Sequence, residues 1–200
     1  IVDSIVVVAV NNTYSGYITV ADEIKEDALQ AIKDMHSLNI KTVMLSGDKQ
    51  SVVDKVAKVL GIDNAYGSLL PEDKVNKVQA LKNENRNLAF VGDGVNDAPV
   101  VALADAGIAM GGLGSDATIE TADIVIQNDM PSKIVTAIKI GKLTRSIVWQ
   151  NITMAMVVKL IVLGLGAGGI ATLWEAVFAD VGVALLAILN AVRIQNIKFK

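Results

Sequence analysis

Two hundred residues, 52% hydrophobic and 20% charged, fit one domain or a domain with an appendage, and the apolar share is high for a soluble protein. A formal net charge of -3, with no Lys/Arg cluster interleaved with aromatics, argues against a nucleic-acid partner. The absence of cysteine rules out disulfides and thiolate metal ligands within these residues. Charge is unevenly spread: residues 1–146 hold nearly all of it, whereas 147–192 are mostly apolar, so water suits the first stretch and lipid the second. Ile1 opens directly into a strand-like run without Met or a positively charged leader, and the chain is expected to be a piece of a longer one.

In chain order, the β-branched run Ile5–Val10 and the segment Tyr17–Val20 predict a hairpin or adjacent strands. A helix is expected over Lys25–Leu38, with Ala28, Leu29, Ile32, Met35 and Leu38 on one face. Thr42–Leu45 predicts a buried strand. Ser51–Leu60 predicts a helix on Val52, Val56, Val59 and Leu60, stopped at Gly61. Further helices are expected at Pro71–Lys82 and Pro99–Ala104, and strands at Leu88–Val91, Ile108–Met110 and Asp123–Ile126. Strand and helix alternate with short connections, which predicts a mostly parallel sheet covered by helices, with its ligand beyond the strands' carboxyl ends. Met130–Ser146 predicts a stalk helix bearing Lys133, Lys139, Lys142 and Arg145 at a membrane surface.

Two stretches, 147–167 and 171–192, each have roughly the 20 apolar residues that a spanning helix needs. Lysine and arginine precede the pair (Lys139, Lys142, Arg145) and follow it (Arg193, Lys198, Lys200), whereas the connecting segment has none, so both ends are expected in the cytoplasm. Two buried helices of a soluble core are the alternative, but soluble helices this long usually show a polar face. Lys159 and Asp180 fall about midway through a ~30 Å layer, where charges are costly unless they pair or line a polar route. An ion route is expected there; a neutralising pair without a transport role is the alternative.

The densest chemistry lies in Val91-Gly-Asp-Gly-Val-Asn-Asp-Ala-Pro99, which leaves a strand at the ligand edge. Asp93 and Asp97 put two carboxylates on one tight loop, a donor set that suits Mg²⁺ completed by water and phosphate oxygens. Gly92 and Gly94 permit close backbone approach, and the Asn96 amide can donate to a phosphoryl oxygen. Ser46-Gly47-Asp48 follows another strand and brings a hydroxyl to the same edge; equally, Ser46 and Asp48 could be helix caps. Lys74 opens a helix, where an ammonium opposes the macrodipole unless an anion is near; a solvated surface lysine is the ordinary explanation.

Together, Ser46-Gly-Asp48, Pro71-x-x-Lys74 and Gly92-Asp-Gly-Val-Asn-Asp-Ala-Pro99 resemble the haloacid-dehalogenase-like phosphorylation domain of P-type ATPases. Gly16–Asp22 looks like that family's re-entry into the domain, Ile119–Asp123 like a later segment of it, and the two spans fit. The lysine and aspartate in the spans resemble the zinc-, cadmium- and lead-exporting branch. That resemblance implies that Asp180 contributes to the transported-metal site with Lys159 as its counter-ion, and that ATP is the substrate. The family's phosphorylated aspartate stands in an Asp-Lys-Thr-Gly motif that is absent here, where only Asp48-Lys49-Gln and Asp73-Lys74-Val occur.

The organisation expected is a Rossmann-type α/β phosphorylation-domain portion over 1–129, a stalk helix over 130–146, and a transmembrane α-helical hairpin with a short tail over 147–200. Partners implied by the resemblance are membrane lipid and the rest of the pump: nucleotide-binding domain, actuator domain and other membrane segments. An integral protein of a prokaryotic plasma membrane, with its catalytic domain cytoplasmic and no turnover by these residues alone, is the expectation. A membrane-tethered phosphatase of the same fold and a truncated, non-catalytic regulatory fragment are the alternatives.

Overall fold

The computed structural model describes residues 4–20, 23–84, 87–92, 94–111 and 116–197. Asp22, Lys198 and Lys200, which carried expectations above, lie outside them. The chain divides into two compact units, Ile1–Val135 and Thr136–Lys200.

The first unit opens with an antiparallel hairpin, β1 (Ser4–Val10) and β2 (Thr13–Val20). Asn11 and Asn12 turn it with φ of 49° and 62°, the positive values that a two-residue hairpin loop matched to strand twist demands. Five helices and five strands follow in alternation among the described residues: α1 (Ala28–Ser37), β3 (Val43–Leu45), α2 (Gln50–Leu60), β4 (Asn64–Tyr66), α3 (Pro71–Asn83), β5 (Ala89–Gly92), α4 (Ala98–Leu103), β6 (Ala106–Met110), α5 (Asp116–Thr121) and β7 (Ile124–Ile126). Every pair after the hairpin is parallel: β3 with β4, β5 with β6, and β6 with β7. The expected sheet is thus parallel, but it falls into a two-stranded and a three-stranded group, with β3 and β5 each paired along one edge among the described strands.

The core is built from Val53, Val78, Val100, Val101 and Ile108, all fully buried. Two helix faces differ from the expectation. In α1 the expected face holds at Ala28, which is buried, and at the half-buried Ile32, Met35 and Leu38, but Leu29 is exposed and Ala31 is buried instead; in α2 the buried residues are Val53 and Ala57, while Val59 is 57% exposed. Valines at 52, 53, 56 and 59 satisfy helical spacing on either of two neighbouring faces, and the helix end decides between them. Gln50 Oε1 accepts the Gly67 N–H at 2.6 Å and its Nε2 donates to the Ala65 carbonyl at 3.2 Å, which fixes the rotation of α2. Gly61 ends that helix in the left-handed conformation, φ 75°, as expected.

Polar side chains tie the loops together. Asp63 Oδ2 accepts the Thr42 N–H at 2.7 Å, the Thr42 hydroxyl at 2.9 Å and a His36 contact at 3.1 Å; the Thr42 bonds, then His36, outweigh burial and hold this carboxyl below its usual range. Asp105 accepts the Leu88 N–H at 2.9 Å and pairs with Lys82 at 3.0 Å, and both lower its pKa. Asp27 Oδ2 caps the N-terminus of α6 (Ser132–Ala167) through the Ser132 N–H at 2.8 Å. Burial pushes the Asp27 carboxyl up, but its bonds to Ser132 win and the pKa falls. Lys25 pairs with Asp129 at 2.6 Å just before that cap.

The second unit is an antiparallel pair, most of α6 with α7 (Leu173–Val192). At 1.5 Å per residue α6 runs about 54 Å, so the expected stalk and first span form one helix. Both helices are long and apolar enough to cross a membrane. Their large apolar side chains point outward: Leu163 is 73% and Phe178 74% exposed, and α7 buries no residue. Such a surface is unsuited to water and suited to lipid, which removes the soluble-core alternative. Glu175 proves to be a helix cap: its carboxylate accepts the Thr172 N–H at 2.6 Å and the Thr172 hydroxyl, closing a capping box at the start of α7.

Candidate functional site

Ser46 follows β3, Gly92 ends β5 and Lys74 lies in the first turn of α3, so three expected residues stand at or near carboxyl ends of parallel strands. The chain leaves β5 into a short 3-10 turn, Val95–Asp97, that runs straight into α4. Asp97 folds back over the strand end. A Cβ built on Gly92 would lie 2.7 Å from the Asp97 Cβ and 3.2 Å from its Oδ2, so only glycine leaves that space. Gly94 sits in open space by the same measure, and its carbonyl accepts the hydroxyl of the fully buried Thr118 at 2.7 Å.

Lys74 and Asp97 meet. Lys74 Nζ donates to Asp97 Oδ1 at 2.9 Å, with the two side chains only 18% and 13% exposed. A lysine in the first turn of α3 opposes the helix dipole, and the Asp97 carboxylate supplies the compensating negative charge. Neither a surface lysine nor a free turn-forming aspartate describes this pair, since both charges are mostly withdrawn from water. Asp93 lies outside the described residues; Asn96 is exposed.

Ser46 Oγ donates to Asp48 Oδ2 at 2.9 Å and accepts the Asp48 N–H at 3.1 Å, closing a local turn on Gly47. Neither residue caps α2, whose N-cap is Lys49 without a side-chain cap bond. The loop is anchored by Ser46 N–H to the Tyr66 carbonyl at 2.9 Å and Leu69 N–H to the Ser46 carbonyl at 3.1 Å. Tyr66 in turn lies under Lys77, whose Nζ is 3.8 Å from the ring centre, so α3 is braced against β4.

The donor set fits Mg²⁺. That ion takes one or two carboxylates and fills its octahedron with water and phosphate oxygens. Asp97, cradled against Gly92, is one oxygen donor of this kind among the described residues.

In the second unit Lys159 Nζ lies 3.9 Å from Asp180 Oδ1, so the two charges in the spans do face each other, at the outer limit of an ion pair. Elsewhere in the second unit three side chains that the sequence reading did not bring together meet: Asn190 Nδ2 donates to Asn151 Oδ1 at 2.9 Å and to Gln150 Oε1 at 3.2 Å. Thr118 was missed as well. A threonine after a short polar stretch carries no pattern that distinguishes it from a surface residue; its burial comes entirely from tertiary packing.

These features define a class: an α/β domain with a charged pair at its strand ends, followed in the chain by a transmembrane α-helical hairpin. The chain belongs to the haloacid dehalogenase-like hydrolase family, whose model matches residues 2–105. It is 58% identical, over 98% of its length, to the cadmium, zinc and cobalt-transporting ATPase of Bacillus subtilis (strain 168), and spans 29% of that relative. It is 57% identical over 96% of its length to the zinc-transporting ATPase of Synechocystis sp. (strain ATCC 27184 / PCC 6803 / Kazusa), spanning 27% of it. Among solved structures, a zinc-transporting PIB-type ATPase in the E2.Pi state superposes with a TM-score of 0.86 at 38% identity, over 96% of this chain and 32% of that one. The resemblance to heavy-metal P-type ATPases read from the motifs therefore holds across the α/β unit and the hairpin alike.

Proposed function

We propose that these residues form the magnesium- and phosphate-handling part of the phosphorylation domain, the stalk and the last two membrane helices of an ATP-driven exporter of zinc, cadmium or lead. The observation that carries this reading is the Lys74–Asp97 pair, 2.9 Å apart and mostly buried, beside the end of β5. The reaction is transfer of the γ-phosphoryl of ATP to an aspartate carboxylate outside this chain, forming a carboxyl-phosphate bond and releasing ADP. Asp97 and Asp93 would hold Mg²⁺, which when bound neutralises charge on the phosphoryl oxygens. Lys74 holds positive charge where the phosphoryl group arrives, and the Ser46 hydroxyl and the Asn96 amide donate to its oxygens. Gly92 keeps Asp97 close to the strand end, and Gly94 is steadied by Thr118.

The edges of β3 and β5 that lack a partner among the described strands support a specific place for the rest of the pump. A parallel strand supplied from upstream would pair with both and deliver the phosphorylated aspartate between Ser46 and Gly92. Nucleotide-binding and actuator domains are the further partners. Lys139, Lys142, Arg145 and Arg193 flank the hairpin and, with bacterial and cyanobacterial relatives, favour a prokaryotic membrane with the α/β unit in the cytoplasm. Asp180 is the metal-binding carboxylate within the membrane and Lys159 its counter-ion; carboxylate oxygen is an accepted Zn²⁺ ligand.

Zinc-stimulated ATP hydrolysis by the full-length pump tests this. Asp97→Asn, which keeps the shape and removes the charge, is expected to lower the rate by about 10²-fold or more. Hydrolysis at the parent rate would remove Asp97 from the mechanism.

A further inference from the structure

Four polar side chains join the two spanning helices at one level: besides donating to Asn151 and Gln150, Asn190 sits where Asn151 Nδ2 reaches the Ala187 carbonyl at 3.2 Å, and Arg193 reaches Gln150 Oε1 at 3.4 Å. We infer that the Gln150–Asn151–Asn190 amide cluster is a register clamp, whose residues position Lys159 opposite Asp180. This rests on the reading of Asp180 as the metal-binding carboxylate.

The argument is geometric. Along α6, Lys159 lies about 12 Å beyond Asn151, and along α7, Asp180 lies about 15 Å before Asn190. In an antiparallel pair these steps are nearly equal, so matching Asn151 to Asn190 brings Lys159 level with Asp180. The charged pair is too loose to align itself, because 3.9 Å is at the limit of contact and both side chains are three-quarters exposed. The amide contact of 2.9 Å is a directed hydrogen bond. Sliding one helix by a turn, about 5.4 Å, would break every bond in the cluster and carry Asp180 out of reach of Lys159.

Apolar packing alone does not prevent such a slip. Lipid chains are as apolar as leucine, so helix association in a membrane gains no hydrophobic drive, and register is chosen by close packing together with interhelical hydrogen bonds, of which the amide cluster supplies the directed ones. A slipped register would break these directed bonds near the ends of the spans, where Arg193 also joins the cluster. A single polar side chain in an apolar seam sets register in coiled coils by this logic, at some cost in stability.

Zinc dependence of ATP hydrolysis by the reconstituted full-length pump separates a positioning role from a merely structural one. The variant is Asn151→Leu with Asn190→Leu, which removes both partners together and leaves neither amide unpaired. The zinc concentration for half-maximal stimulation is expected to rise about 10- to 100-fold, the range found when residues supporting a metal ligand are lost. The KM for ATP and the unfolding temperature are expected to stay at parent values. Asn190→Gln, which retains a carboxamide donor, is expected to stay closer to the parent than the double variant. A double variant with the parent's zinc requirement overturns the clamp. Should that variant fail to fold, Asn190→Ala, which removes only the shared donor, is judged by the same measurement with the same consequence. Asp180→Asn distinguishes the two layers of the argument: an unchanged zinc requirement there sinks the metal-site reading and the clamp with it, whereas a raised requirement in Asp180→Asn beside a parent value in the double variant sinks the clamp alone.

Discussion

The two units of this molecule use polar side chains in opposite ways. In the α/β unit, Asp63, Asp105 and Asp27 each bridge segments far apart in the chain, pinning loops around a buried apolar core that already fixes the fold. In the hairpin, apolar side chains face outward, and what joins the helices is a cluster of amides and one loose charged pair. Water makes burial of Ile108 and Val100 favourable and leaves polar groups to set local detail; lipid removes that drive and leaves the choice of register to close packing together with the polar groups.

Single substitutions break or sharpen this contrast. The largest effect is expected at the proposed phosphate site: Gly92→Ala puts a Cβ 2.7 Å from that of Asp97, displaces the carboxylate, and should reduce zinc-stimulated hydrolysis by about 10²-fold even where the protein folds. Next comes the aqueous core, where Ile108→Ala should cost about 2–5 kcal/mol in thermal or denaturant unfolding of the α/β unit. Thr118→Val removes one of two bonds to the Gly94 carbonyl, which keeps the Asp97 N–H at 2.9 Å, and should cost about 0.5–1.5 kcal/mol by the same measurement. Leu163→Ala, 73% exposed on the hairpin, should change stability in bilayer or detergent by less than about 0.5 kcal/mol; a loss like that at Ile108 would mean this face is packed against protein and not lipid.

Much of the α/β unit is legible in sequence because local chemistry and tertiary packing agree there. Gly61 stops α2 where expected, and the short apolar stretches around Phe90-Val91 and Ile108 mark β5 and β6. The three-residue β4, Asn-Ala-Tyr, escapes because none of its residues is β-branched and its strand character comes from pairing with β3. Ala31 and Ala57 escape because alanines approach neighbours closely while hydropathy ranks the larger residues beside them first, and Val53 escapes because spacing among adjacent valines does not choose between two faces. At the site, Ser46, Lys74, Gly92 and Asp97 were marked by motif, but spacing along a chain holds no information on which charges pair. The Lys74–Asp97 contact emerges only when α3 and the turn after β5 are brought together. The amide cluster was hidden because Gln150, Asn151 and Asn190 are ordinary polar residues until an antiparallel pairing aligns them.

Acidification sharpens the comparison further, with a smaller effect. Asp27, Asp63 and Asp105 are each held below the ordinary carboxyl value of 3.8. A depressed native pKa favours the folded state above the unfolded value, and that contribution fades as pH falls through the native one. Unfolding temperature of the α/β unit should therefore decline as pH drops below about 4. The triple variant Asp27→Asn, Asp63→Asn, Asp105→Asn should show a shallower decline over the same window, and an identical slope would dismiss these carboxylates as its cause.

That the two units form one machine is tested most directly by zinc-stimulated ATP hydrolysis in the full-length pump carrying Asp180→Ala. Asp97 and Lys74 are untouched in that variant, yet the account predicts that zinc no longer stimulates hydrolysis. Stimulation equal to the parent's, at the same zinc concentration, would contradict it.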